Sequence, residues 1–197
     1  MIRAALMSVT LAGPALAEDY PRLADVFGVQ ASDVLNLRSE PDAGSEIVGT
    51  LPPDATGVEV VTVAGGWGLI NIGEGSGYAS MHFLRPEGGP AWHALTTPLF
   101  CAGTEPFWAL DLDPVAGIAR FRTPGSDTQR GILATWPATP QATLAALLVP
   151  EGLTVLQTAG CGDGMSDRAY GIAIDVFLTG TNGRRLTGCC GLTRPQG

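Results

Sequence analysis

The cysteines are the most reactive side chains of this chain, and all four lie in its second half, at Cys101, Cys161, Cys189 and Cys190. An even number of cysteines is typical of disulfides when a chain is exported. Cys189 and Cys190 cannot easily pair with each other, because a vicinal disulfide strains the intervening peptide bond. The sequence therefore predicts that Cys101 and Cys161 each pair with one of the two, and both connectivities stay open.

The two histidines, His82 and His93, are the candidate bases for nucleophilic catalysis. A nucleophilic enzyme needs an activating base beside its nucleophile. No Gly-x-Ser-x-Gly motif occurs in the chain, and the cysteines are better assigned to disulfides. We therefore predict that the protein is not an enzyme and has no cofactor.

Three acidic residues of the second half, Glu105, Asp163 and Asp167, are candidates for metal binding or other carboxylate chemistry. Asp163 and Asp167 flank a glycine-bearing turn, but the alternating oxygen ligands of a calcium loop are missing. We expect them to cap a turn, with Arg168 paired to one of them, and we predict no metal site. For Glu105 we favour a structural role, as an acceptor for nearby backbone amides, over a functional one.

The N-terminus indicates export. Arg3 precedes a mostly apolar stretch that ends in Ala15-Leu16-Ala17, and this pattern is typical of a cleaved signal peptide. We assign it to residues 1–17. The apolar stretch is too short to span a bilayer stably, so we expect no stable membrane insertion after cleavage. The predicted location is the periplasm or the exterior, with a Gram-negative type of envelope.

The charge distribution argues against nucleic acid as a partner. The formal net charge is −8, and the chain has no lysine. Nine acidic residues and three arginines lie between Tyr20 and Pro90. An acidic surface of this kind repels phosphate polymers and anionic lipids.

Short apolar runs separated by Gly and Pro predict an all-β fold. The chain has 27 Gly and 15 Pro, and turn signals every eight to twelve residues are typical of small barrels and sandwiches. We divide the mature chain into a first β domain at residues 24–86, a linker at 87–98 and a disulfide-linked, barrel-like β domain at 99–193. Seven strands are predicted for the second domain, two of them joined by a hairpin at residues 182–183. Trp92 and Leu95 of the linker could pack onto either domain.

The first domain resembles the bacterial SH3 domain. The resemblance rests on residues 35–41 (LNLRSEP), 66–67 (GW) and 77–80 (GYAS), which follow one another in the order of that family. It implies an SH3-like small barrel that binds peptides, often those of peptidoglycan. An acidic module would favour amine-bearing ends of such peptides.

Four residues of this domain are predicted to bind the ligand: Trp67 and Tyr78 as an aromatic platform, with His82 and Asn36 as polar partners. The two aromatic side chains could instead fill the core of the barrel. For Trp67 we favour the core, since large aromatic side chains are usually mostly buried.

The second domain resembles a family of uncharacterised exported bacterial β domains. The resemblance rests on residues 101–108 (CAGTEPFW), 161–170 (CGDGMSDRAY) and 186–190 (LTGCC). It implies an exported location and disulfides, and it names no reaction.

The sequence as a whole predicts a non-catalytic cell-envelope binding protein. The expected partner is a peptidoglycan peptide or an envelope protein, recognised through the SH3-like domain. Two alternatives stay open: a lysozyme-inhibitor-like or scaffold role of the second domain, and an undetected cell-wall hydrolase.

Overall fold

The computed structural model describes residues 20–139, 143–179 and 183–194. The predicted signal peptide and Asn182 of the predicted hairpin turn lie outside the described residues. The fold is almost entirely β, with two antiparallel sheets that follow one another along the chain. The predicted fold class, a small barrel followed by a disulfide-linked β-barrel-like domain, is confirmed. Among the described residues, no helix is long and apolar enough to cross a membrane.

The first sheet forms the N-terminal barrel. Its seven strands are β1 Arg22–Val26, β2 Leu35–Arg38, β3 Ile47–Leu51, β4 Val58–Ala64, β5 Trp67–Ile72, β6 Gly75–Ser80 and β7 Leu84–Pro86. They are ordered β3-β2-β6-β5-β4-β1-β7. A 3₁₀ helix, Met81–Phe83, connects β6 to β7. The glycine-rich stretch at residues 73–77 contains the tight turn between β5 and β6, and β6 begins at Gly75, the ladder partner of Ile72.

Alternation along the strands builds the core of this barrel. Leu35 and Leu37 of β2 point inward, and so do Val60 of β4 and Ile70 of β5. Side chains between these positions point to the opposite face, as the period of two of a β-strand requires. The N-terminal barrel therefore has an inner face packed on its own core and an outer face free for other contacts.

The second sheet forms the C-terminal domain. Its nine strands are β8 Leu99–Thr104, β9 Phe107–Asp113, β10 Ile118–Thr123, β11 Ser126–Gly131, β12 Ala134–Trp136, β13 Ala145–Val149, β14 Gly152–Cys161, β15 Tyr170–Leu178 and β16 Arg184–Gly191. They are ordered β11-β10-β9-β8-β16-β15-β14-β13-β12. Two of them, β8 and β11, were not predicted.

The C-terminal sheet curls around one core, which contains Ala119 of β10 and Leu147 of β13. Its edge strands β11 and β12 are consecutive in the chain, so residues 132 and 133 cross from one edge to the other. The Ile132 amide donates to the Gly117 carbonyl on one side, and the Leu133 amide donates to the Leu148 carbonyl on the other. The sheet is thus barrel-like, with the chain itself spanning the gap between its edges.

The disulfides join Cys101 to Cys190 and Cys161 to Cys189. Both were expected, and the structure selects one of the two open connectivities. Cys190 and Cys101 are cross-strand partners of β16 and β8 and belong to the core. Cys189, which precedes Cys190 on β16, points to the opposite face.

The segment predicted to be a linker packs on the C-terminal domain. Trp92 and Leu95 are 2% and 5% exposed, and both belong to the core of that domain. Trp92 lies in a short 3₁₀ helix, Trp92–Ala94. Of the two packing alternatives for these side chains, the structure shows the C-terminal one.

The two barrels dock through the outer face of β4 and β5. The Asn71 side chain makes a pair of hydrogen bonds with Ala169, accepting from its amide at 2.9 Å and donating to its carbonyl at 2.8 Å. A Cβ atom at Gly171 would lie 2.9 Å from the Val61 carbonyl oxygen, so only glycine permits this close approach.

Glu59 of β4 is the buried charged residue of this interface, with 7% exposure. Its Oε2 accepts hydrogen bonds from the Thr193 amide at 3.2 Å and the Thr193 hydroxyl at 3.0 Å. Burial raises the pKa of Glu59, an effect opposed by its hydrogen bonds from residues 192 and 193 and by the charge of Arg168. The net result is a pKa of Glu59 above its ordinary value in the folded protein.

We expect Glu59→Gln to change the pH dependence of stability. Because the pKa of Glu59 is raised above 4.5 on folding, the folded protein binds more protons than the unfolded chain above that pH, and its stability falls as pH rises through this window. Glutamine does not titrate, so the variant lacks this loss. The free energy of unfolding of the variant should therefore increase relative to that of the wild type as the pH rises. Denaturation at several pH values measures the difference. Exposed Glu40→Gln is the control, and parallel wild-type and Glu59→Gln curves would contradict the assignment.

Candidate ligand-binding face

The outer face of β5 and β6 carries the two predicted aromatic residues. Trp67 lies opposite Ser80, and Leu69 lies opposite Tyr78 in the antiparallel ladder. Gly68, between Trp67 and Leu69, points inward, since a Cβ atom there would lie 2.9 Å from Val60 Cγ1 of the core. Trp67, Leu69, Tyr78 and Ser80 therefore share the outer face.

Trp67 and Tyr78 are half-buried, and neither belongs to the core of the N-terminal barrel or to the side chains packed against it. The favoured interpretation of Trp67 as a core residue is wrong. The reason is strand parity: Gly68 and Ile70 occupy the inward positions of β5, which leaves Trp67 on the outer side. The two aromatic side chains are available as a platform.

Asn36 lies on the same outer face. Arg38 is the ladder partner of Tyr78, and Asn36 precedes Arg38 by two residues on β2, so both point the same way. Leu35 and Leu37 take the inward positions on either side of Asn36. The structure thus brings three of the four predicted residues to one face across β2, β6 and β5.

His82, the fourth predicted residue, is exposed in the 3₁₀ helix that follows β6. Its amide donates to the Ser80 hydroxyl at 3.4 Å, and its ring meets the Phe83 ring edge-on at 4.9 Å between centroids. Because Ser80 is the ladder partner of Trp67, His82 lies near the Trp67 end of the face rather than on it.

The C-terminal domain covers the opposite end of this face. Asn71 of β5 bonds to Ala169, and the Asp167 amide donates to the Glu74 carbonyl at 2.8 Å. Between the covered end and the aromatic end, Leu69 lines a cleft between the two barrels. The platform therefore ends at a boundary built by the second domain.

The loop that makes these contacts is the CGDGMSDRAY motif at 161–170. Asp163 accepts hydrogen bonds from the Met165 and Ser166 amides, both at 2.9 Å, and from the Ser166 hydroxyl at 2.8 Å. Burial raises the pKa of Asp163, but these bonds and one from the Tyr170 hydroxyl outweigh it and hold the pKa below its ordinary value. Asp163 caps the turn, as expected.

Arg168 does not behave as predicted. Its guanidinium donates to the Gly73 carbonyl of the N-terminal barrel, where pairing with Asp163 or Asp167 was expected. Hydrogen bonds within the loop already occupy the carboxylate oxygens of Asp163. Arg168 therefore donates across the interface instead. Sequence reasoning singled out this motif but missed its position between the barrels.

Glu105 lies at the exposed turn of the β8–β9 hairpin. The neighbouring motif residue Trp108 is 4% exposed, and its indole packs against Gly103 and Gly188. This aromatic ring thus belongs to the C-terminal core.

The described part of the chain shows no group of three or more His, Cys, Asp or Glu side chains placed to hold a metal ion. All four cysteines are in disulfides. What the outer face offers is aromatic and amide surface for contact.

The sequence model of the bacterial SH3 domain matches residues 33–85. The match spans β2 to β6 and reaches into β7, so it contains the whole candidate face. No curated protein and no solved structure matches the chain, and the resemblance of the C-terminal half to exported β domains stays a prediction. The bacterial SH3 match and the disulfides are consistent with an extracytoplasmic protein.

Proposed function

We propose that this protein is a non-catalytic cell-envelope binding protein that recognises peptidoglycan peptides through the Trp67–Tyr78 face. The bacterial SH3 match supports a cell-wall role. The observation that carries the finer proposal is the outward position of Trp67 and Tyr78, half-buried on adjacent strands, with Asn36 on the same face. Aromatic surface next to polar groups is the usual recognition element of SH3-type peptide grooves.

Retention on purified peptidoglycan tests the proposal. The wild-type protein should be retained well above an acidic control protein of similar net charge. Equal retention of the two proteins would overturn the proposal.

Trp67→Ala should lower the affinity for peptidoglycan about tenfold, because a central aromatic residue commonly contributes at least about 1.4 kcal/mol to binding. The matched control is Trp136→Ala, which removes a tryptophan that is 50% exposed on the C-terminal domain. Binding isotherms on sacculi measure both variants, with melting curves to confirm that they fold. An equal effect of both substitutions would contradict the assigned face.

A further inference from the structure

A cleft with a volume of about 580 Å³ separates the two barrels. One wall comes from β4 and β5, with Thr62 and Leu69 among its residues, and the other from the end of β14 and the start of β15, with Gly160 and Tyr170. The volume falls in the range of ligand sites in proteins. The cleft is therefore large enough for a short peptide segment.

The lining of the cleft is uncharged. Apart from the disulfide-bonded Cys161 and two glycines, the described residues that line it have aliphatic, aromatic or hydroxyl-bearing side chains, and none of them is Asp, Glu, Arg or His. In a chain with a formal net charge of −8, this absence sets the cleft apart from the rest of the surface. Burying an unpaired charge against such walls is costly, so the lining selects an uncharged occupant.

Each wall contains a β-bulge. On β4, Val60 pairs with Ile70 and Thr62 pairs with Leu69, so that Val61 is an extra residue. On β14, Thr158 pairs with Ile172 and Cys161 pairs with Tyr170, so that residues 159 and 160 face Gly171 alone.

Bulges leave backbone groups outside the sheet ladder. The extra residues of both bulges, 61 on one side and 159–160 on the other, line the cleft. Although β4 and β14 are interior strands of their sheets, backbone groups of this kind are hydrogen-bonding groups that an extended ligand backbone can pair with.

The cleft is continuous with the aromatic face. Leu69 lines the cleft, is the ladder partner of Tyr78 and stands two residues from Trp67 on the same side of β5. A ligand lying on the platform and running along β5 would enter the cleft directly.

We infer that the binding site is composite: an extended, uncharged peptide segment occupies the cleft, held between β4–β5 of the N-terminal barrel and β14–β15 of the C-terminal domain. The choice of a peptide rests on the proposed function. The C-terminal domain supplies one wall of the site, and the CGDGMSDRAY loop fixes that wall against the N-terminal barrel through Ala169 and Arg168.

A capped tetrapeptide, acetyl-Ala-Val-Ala-Ala-amide, is the probe, titrated into the full ¹⁵N-labelled protein purified after export. We expect saturable amide shifts at Thr62, Leu69 and Gly160 together. The same peptide with lysine or aspartate in place of valine should bind about tenfold more weakly, since the lining offers no counter-charge. Shifts confined to one barrel, or no saturable shift, would overturn the inference.

Gly160→Phe is the blocking variant. A Cβ atom at Gly160 meets nothing within 4 Å, so the ring can fill the cleft without displacing the fold, and tetrapeptide affinity should fall about tenfold. Gly162→Phe is the matched control, because Gly162 is equally open but is not a lining residue of the cleft. Equal affinity of the two variants would contradict the composite site.

The remaining outcomes separate this inference from the proposed function. Retention on peptidoglycan without tetrapeptide shifts in the cleft supports the proposed function and overturns the inference. Tetrapeptide shifts in the cleft without retention support the inference and overturn the proposed function. Sedimentation without peptide checks for self-association, and a dimer abolished by Gly160→Phe would assign the cleft to a second copy. Cross-peaks from residues 18 and 19 to the Leu69 methyls would assign it to the N-terminal segment. Either result overturns the inference.

Discussion

Replacing Cys101 and Cys190 together by alanine is expected to lower the free energy of unfolding by about 4 to 5 kcal/mol. The disulfide spans 89 residues, and cross-linking a loop of that length removes a large conformational entropy from the unfolded chain. Both cysteines also lie in the core, at 3% and 0% exposure, so the loss of packing adds to the effect. Thermal and urea denaturation followed by circular dichroism measure it, as a fall in melting temperature of about 10 °C or more.

The second disulfide provides the comparison. Cys161 and Cys189 are 28 residues apart, and the same entropy argument gives a smaller loss of about 3 to 4 kcal/mol for the double alanine variant. This disulfide also holds the start of the loop that contacts Asn71, so its removal should loosen the docking of the barrels. A larger loss for the 161–189 pair than for the 101–190 pair would contradict the ranking by loop length.

Gly188→Ala is expected to destabilise the protein by about 3 kcal/mol or more through steric overlap. A Cβ atom at Gly188 would lie 2.1 Å from the Ala102 carbonyl oxygen and 2.7 Å from Trp108 Cζ2. The first contact is with backbone, which cannot rotate away, so β8 and β16 would have to separate. Urea denaturation followed by Trp fluorescence and circular dichroism measures the loss.

Gly160→Ala is the control for this substitution. The position lies in β14, and a Cβ atom there has open space, so the change should leave stability within about 0.5 kcal/mol, as is usual for surface sites. If Gly188→Ala were equally mild, the close packing of β8, β16 and the Trp108 ring would be wrong.

The sequence predicted the N-terminal barrel in some detail, because its strands obey simple alternation. Leu35 and Leu37 point inward around Asn36, and this pattern alone places Asn36 outside. The same alternation applies to Trp67. The core was nevertheless favoured for this residue because of the size of its ring, and the alternation of β5 was not used. Gly68 and Ile70 occupy the inward positions of β5, so Trp67 lies on the outer face despite the general preference of large aromatic residues for burial.

Two kinds of feature could not be read from the sequence. The strand β11, SDTQRG, has no apolar alternation because it is an edge strand; its pairing with β10 includes the cross-strand ion pair of Asp127 with Arg120. The docking of the barrels depends on contacts between residues nearly one hundred positions apart, such as Asn71 with Ala169. No local pattern encodes such a contact, which is why the second wall of the candidate site was missed.

The adjacent cysteines of β16 have a consequence for how the chain oxidises. Their thiols emerge on opposite sides of one strand, so a shift of that strand by a single residue would present each sulfur to the wrong neighbour. In the native alignment each sulfur meets its own partner, Cys161 or Cys101, and the two finished bridges oppose slippage of the strand. The two adjacent cysteines thus fix the alignment of the last strand.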